Sequence, residues 1–145
     1  MSRNFNPRNA ARALARRLAV QALYRWQINP APWQDLDAEF RADPEMGKAD
    51  ADYFQALLRG AIEDHEQIEL ALAPFLTLPP GGLDPVERAV LLVAAHELRA
   101  QPETPLRVVL AENVGIALRF GATDGHKLVN AVLDRAARAW RPDEH

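Results

Sequence analysis

Between Tyr53 and Phe75 the apolar residues fall at Phe54, Leu57, Leu58, Ala61, Ile62, Ile68, Leu72 and Phe75, with His65 in the same register. Steps of three and four sustained over about six turns predict an amphipathic helix, broken once near Asp64–Glu66. The same period runs through nearly the whole chain. Asn6-Pro7 supplies an N-cap and a proline at the first helical position, opening a segment that extends to about Ile28. The stretch NPAPW, from Asn29 to Trp33, interrupts it. A short helix is expected over about 34–41, and Asp43–Asp50 reads as a loop. The stretch TLPPGG at 77–82 is the strongest break and marks the expected subdomain boundary. Asp84-Pro85-Val86-Glu87 then has an acidic N-cap, proline at N1 and glutamate at N3, and its helix runs to about Arg99. Thr104-Pro105 repeats the device for a helix ending at Phe120-Gly121, where glycine suits a left-handed C′ position. Thr123 or Asp124 caps a last helix over about 124–140, with Leu128, Val129, Val132, Leu133 and Ala136 facing inward. Val90–Val93 and Arg107–Leu110 could pass for strands, but both lie inside longer helical patterns. The expected fold is all-α, about seven helices in two packed bundles: a single domain over 1–145 with an N-terminal subdomain (about 6–76) and a C-terminal one (about 84–140).

Charge is distributed unevenly. The chain has 17 Lys+Arg against 20 Asp+Glu, yet residues 1–34 contain six arginines and no acid. A basic arm on an acidic body points to a polyanion, or to docking on the protein's own acidic surface. Arg8, Arg12 and Arg16 are successive i, i+4 positions and form one stripe, with Arg17 and Arg25 nearby and Leu14 and Leu18 roughly opposite. Positive charge in the first turns opposes the helix macrodipole by about 0.3–1 kcal/mol per charge. An external anion would relieve that cost, and the planar guanidinium fork suits phosphate.

Other chemistry is sparse. The four histidines, at 65, 96, 126 and 145, make no metal-ligand spacing, and the chain has no cysteine, so neither metal nor cofactor is expected. No Gly-rich phosphate loop or nucleophile elbow occurs, so an enzyme is not expected. His96 and Glu97 are neighbours, which on a helix point about 100° apart and read as a surface or half-buried pair. The turn Phe120–Lys127 opens a helix N-terminus, where free N–H groups favour anions; Lys127 adds charge and His126 a ring able to stack on a base, although structural capping explains the same residues. No apolar run is long enough to span a bilayer and no secretory signal is evident, which leads to the expectation of a cytoplasmic protein.

Four segments, ARRLAVQALYRWQ, DYFQALLRGAIEDH, VERAVLLVAAHELR and FGATDGHKLVNAVLDRAA, resemble in order and spacing the bacterial NusB transcription antitermination factors, over about Arg12 to Ala137. The resemblance implies an all-helical, two-bundle fold. It also implies a factor that pairs with NusE, a small-subunit ribosomal protein, to grip single-stranded boxA RNA in nascent ribosomal transcripts, joining other Nus factors on RNA polymerase. By position it assigns RNA contact to Arg12 and Arg16, with Arg8 and Arg17 as helpers, and to Asp124, His126, Lys127 and Leu128. It assigns partner contact to Tyr24, Glu87 and Arg88. Ala13 and Leu14 stand where the family commonly has basic residues, Leu128 replaces the usual phenylalanine, and Ala131 the usual glycine. A NusB-type domain also occurs ahead of an RNA cytosine methyltransferase; with 145 residues and no GxGxxG, the non-catalytic form is expected here.

The alternative reading is a protein-interaction module, or a homodimer burying the arginine face against acids at 35–45, without RNA binding. On the outward stripe, replacing Arg12 and Arg16 together by alanine is expected to weaken RNA binding and flatten its salt dependence with helicity unchanged.

Overall fold

Asn6 starts the first helix as its sequence requires: its side-chain Oδ1 accepts from the N–H of Arg8 at 2.9 Å and of Asn9 at 3.4 Å, with Pro7 at N1. The computed structural model describes residues 6–77 and 82–144. Within them lie seven α-helices and no strand: α1 (Pro7–Ile28), α2 (Trp33–Arg41), α3 (Ala51–Glu63), α4 (His65–Leu72), α5 (Pro85–Ala100), α6 (Leu106–Phe120) and α7 (Gly125–Trp140). The all-α expectation therefore holds, and the break expected near Asp64 separates α3 from α4. Arg3, His145 and residues 78–81 of the Pro-Gly break lie outside the described residues.

Three local expectations change. The Asp43–Asp50 loop contains a 3₁₀ turn, Pro44–Lys48, which Asp43 caps through the Glu45 N–H. Thr104 does not cap α6; its hydroxyl is buried against Tyr53 Oη at 3.0 Å, and Pro105 occupies the N-cap position without a side-chain bond. Gly121 is extended (φ −84°, ψ 178°), and the left-handed residue is Asp124 (φ 66°), since aspartate tolerates that conformation better than most side chains.

α5 is the organising element. Its run from Ala89 to Ala95 is almost wholly buried, and the helix packs against α1, α3 and α4 on one side and α6 and α7 on the other. α1 and α3 pack on each other, as do α6 and α7. One core, from Leu18 and Leu23 through Phe54, Leu57 and Leu58 to Leu133, passes through α5 without interruption. α3 crosses α5 closely at Gly60, where a Cβ would stand 1.9 Å from the His96 ring. Burial in that crossing pushes the His96 pKa down.

Candidate nucleic-acid interface

The arginines of α1 do not share a fate. Arg8 is exposed and pairs with no carboxylate among the described residues. Arg12 lies over the Tyr53 ring, 4.3 Å from its centroid, with its buried Nε 3.6 Å from Asp50; it makes no side-chain hydrogen bond among the described residues. Arg17 pairs with Glu45, and Arg25 with Glu39 at 3.2 Å. Much of the positive arm is thus neutralised by acids of α2, the 3₁₀ turn and the start of α3.

Arg16 departs from the outward stripe expected of it. It is only 2 % exposed, and its Nε and NH2 reach the Glu97 carboxylate at 2.8 and 2.7 Å. An i, i+4 repeat advances 400°, or 40° beyond a full turn, so each step carries the stripe round towards α5. Glu97 is completely buried and accepts also from Tyr53 Oη and, at 3.2 Å, from Asn113 Nδ2. The surface or half-buried reading of His96–Glu97 is therefore corrected at Glu97: this carboxylate ties α1, α3 and α6 to α5. Sequence reading missed it, although an acid closing the apolar run VLLVAAHEL was a signal. Burial first, and the Glu97 charge second, push the Tyr53 pKa up to about 12 from 10.0. Between those values the unfolded chain has lost the phenolic proton while the folded chain keeps it. Stability should therefore fall by about 1.4 kcal/mol per pH unit from pH 10 towards 12. Thermal unfolding across that window checks this, and Tyr53→Phe should remove the slope.

Arg8, Arg12 and the small face of α1 form one wall of an open groove of about 720 Å³; Glu103, Pro105 and Val108 belong to the other. A second opening, lined by Arg17, Leu14, Arg119 and Phe120, shares Ala13 and Glu112 with the first. Together they make one furrow between α1 and α6, and its lining includes Phe120, the last residue of α6.

At that turn Asp124 and Lys127 are exposed and paired with each other at 3.2 Å. His126 is half-buried, and Leu128 is half-buried against the core rather than presented to solvent. Of the expected partner residues, Tyr24 is exposed (42 %). Arg88 is engaged by Glu69 at 2.7 Å and by Gln27 at 3.2 Å. Glu87 is corrected from a surface position to a buried one, at 2 % exposure. Its Oε1 accepts from the Ala122 N–H at 3.3 Å and fills the space where Gly125 lacks a side chain. Burial, and then the nearby Asp84 carboxylate, raise its pKa. Among the described residues no group of three or more ligating side chains could hold a metal, and no helix is long and apolar enough to cross a membrane.

A family model described as the NusB family matches residues 13–138. The transcription antitermination protein NusB of Idiomarina loihiensis is 44% identical over 133 residues, covering 92% of this chain and 96% of its own. That of Burkholderia cenocepacia is 45% identical over 137 residues, covering 94% of each. Among solved structures, T. maritima NusB superposes with a TM-score of 0.75 at 28% identity, over 91% of this chain and 94% of its own. A structure of antitermination factors NusB and NusE in complex with dsRNA shares the fold, with a TM-score of 0.73 at 22% identity, over 88% and 96%.

Proposed function

The chain belongs to the NusB family, and from that premise we propose that it is a non-enzymatic, cytoplasmic transcription antitermination factor. It binds boxA-type single-stranded RNA of nascent ribosomal transcripts together with NusE, and with other Nus factors supports processive transcription by RNA polymerase. The observation that carries the RNA reading is the state of the arginines at the open end of α1. Arg8 is exposed and pairs with no carboxylate among the described residues, and Arg12, although its Nε is buried, has no hydrogen bond among them on its terminal nitrogens, which leaves both guanidinium groups able to meet a phosphate. The Asp124–Lys127 turn follows in the chain from Phe120, which lines the furrow, and Lys127 can exchange its internal carboxylate for phosphate. Arg16 and Glu87 act in this reading as positioning residues, the first holding α1 on α5 and the second supporting the turn. Tyr24 is the exposed aromatic offered to NusE.

A homodimer that buries the arginine face against the acids at 35–45 is less well supported. Asp37, Glu39 and Glu45 are already paired within the chain, with Arg41, Arg25 and Arg17.

Arg12→Ala should weaken binding of labelled boxA RNA in the presence of NusE and lower the slope of log Kd against log salt by about 0.7, the share of one phosphate on a single strand. Melting should fall only modestly, since Arg12 contributes a cation–π contact to Tyr53 and a long, partly exposed ion pair to Asp50. Equal affinity for boxA and a scrambled oligomer, with and without NusE, would overturn the RNA reading.

A further inference from the structure

α1 lacks cations at the middle of the furrow, where Ala13 and Leu14 line it. The facing helix supplies one. Arg119, in the last turn of α6, is exposed and lines the furrow opposite Arg17. Arg17 is neutralised by Glu45, whereas Arg119 pairs with no carboxylate among the described residues. Its guanidinium rests on the Phe120 ring, 4.9 Å from the centroid, which restricts the side chain without using its donors. Between Arg119 and the α1 wall the floor is small: Ala111 and Gly115 line it, and a Cβ at Gly115 would meet nothing within 4 Å.

Glu112, shared by both openings, stands 3.7 Å from Arg16, whose charge Glu97 already takes, and Glu45 is taken by Arg17. Glu103, at the Arg8 end, is the lining carboxylate with no ion pair among the described residues. Arg119 is thus the cation of this second opening that no acid among the described residues takes. From Leu106 to Phe120 the α6 wall is ~22 Å long at 1.5 Å per residue, room for a strand of several nucleotides. The furrow is also open on one side, as a threaded single strand requires.

Resting on the RNA reading above, we infer that α6 forms the second wall of the RNA site, with Arg119, braced by Phe120, binding a backbone phosphate midway between the Arg8–Arg12 end and the Asp124–Lys127 turn. The furrow thereby regains on α6 the charge that α1 lacks at residues 13 and 14.

The test uses the full chain with NusE and a fluorescein-labelled single-stranded boxA RNA, titrated at several salt concentrations. Arg119→Ala should weaken binding roughly tenfold and lower the salt slope by about 0.7, as when one backbone phosphate is no longer neutralised. Arg119→Lys should keep the slope. The melting temperature should be unchanged, because Arg119 makes no ion pair or hydrogen bond among the described residues. If Arg119→Ala leaves affinity and slope unchanged while Arg12→Ala reduces both, the α6 wall is refuted and the RNA reading stands. If neither variant changes RNA binding, both fall. If Arg119→Ala weakens NusE association without RNA present, the residue belongs to the protein interface and the phosphate assignment is refuted.

Discussion

Arg16→Ala is expected to lower the free energy of unfolding by about 3–5 kcal/mol, which leaves the Glu97 carboxylate buried without its cation. For a chain of this size that corresponds to a fall in Tm on the order of 10 °C. Glu97→Ala should cost a similar amount, since it strands the Arg16 guanidinium at 2 % exposure. The two losses are not additive, because both remove the same pair. Replacing the pair together, Arg16→Met with Glu97→Leu, should recover most of the stability. The neighbours tolerate that exchange: Tyr53 Oη keeps Thr104 at 3.0 Å and Asn113 Nδ2 keeps the Val109 carbonyl at 2.8 Å. Urea unfolding followed by circular dichroism checks the series, and a loss below about 1 kcal/mol for Arg16→Ala would mean that the pair is dispensable. The expectation that Arg12 and Arg16 could be replaced together with helicity unchanged does not survive this geometry. Loss of RNA binding in that double variant would report the fold as much as the site, whereas Arg12→Ala alone, or with Arg8→Ala, isolates the contact.

Helix positions were legible in the sequence because their signals are local. Asn6-Pro7 and Asp84-Pro85 set N-termini by the chemistry of one cap and one ring, and the structure has both caps in place. The Asp64 break was legible for the same reason. What failed were features decided by residues distant in the chain. Arg16 meets Glu97 across 81 positions, and Glu87 meets Ala122 across 35. Neither pairing leaves a spacing signal on its own helix. Thr104 had a plausible local role as a cap, but Tyr53 offered its hydroxyl a buried partner and the tertiary contact prevailed. Arg119 carried no signal at all; it gains meaning only when α6 is seen to face Ala13 and Leu14. The family resemblance supplied site residues by position, and the structure divides them. Arg8 and Lys127 are exposed and Arg12 is half-buried with its Nε out of solvent, while Arg16, Glu87 and Leu128 face inward to varying degrees.

Gly125→Ala should disable the turn that opens α7. A Cβ there would stand 1.6 Å from Glu87 Oε1, 2.6 Å from its Cδ and 3.0 Å from its Cγ. The carboxyl group cannot step aside freely, since Glu87 is 2 % exposed and packed beneath the turn. The turn must then move outward, taking Asp124 and Lys127 with it and breaking the Ala122 N–H bond to Glu87. Overpacking of this kind costs about 1–3 kcal/mol of stability, so the variant should still fold. Its RNA affinity, measured well below the melting temperature, should drop because the α7 N-terminus no longer aligns with Arg119 and the furrow. The cause can be separated from a general loss of stability by removing the obstruction instead of the methyl group. Glu87→Ala in the Gly125→Ala background gives the added Cβ room, at the cost of one hydrogen bond of 3.3 Å to Ala122. The double variant should bind RNA more tightly than Gly125→Ala alone, with a negative coupling energy in the stability cycle. Strict additivity would mean that Glu87 does not support the turn. If Glu87→Ala alone abolished NusE binding while leaving both the turn and RNA binding intact, its place would be at the partner surface.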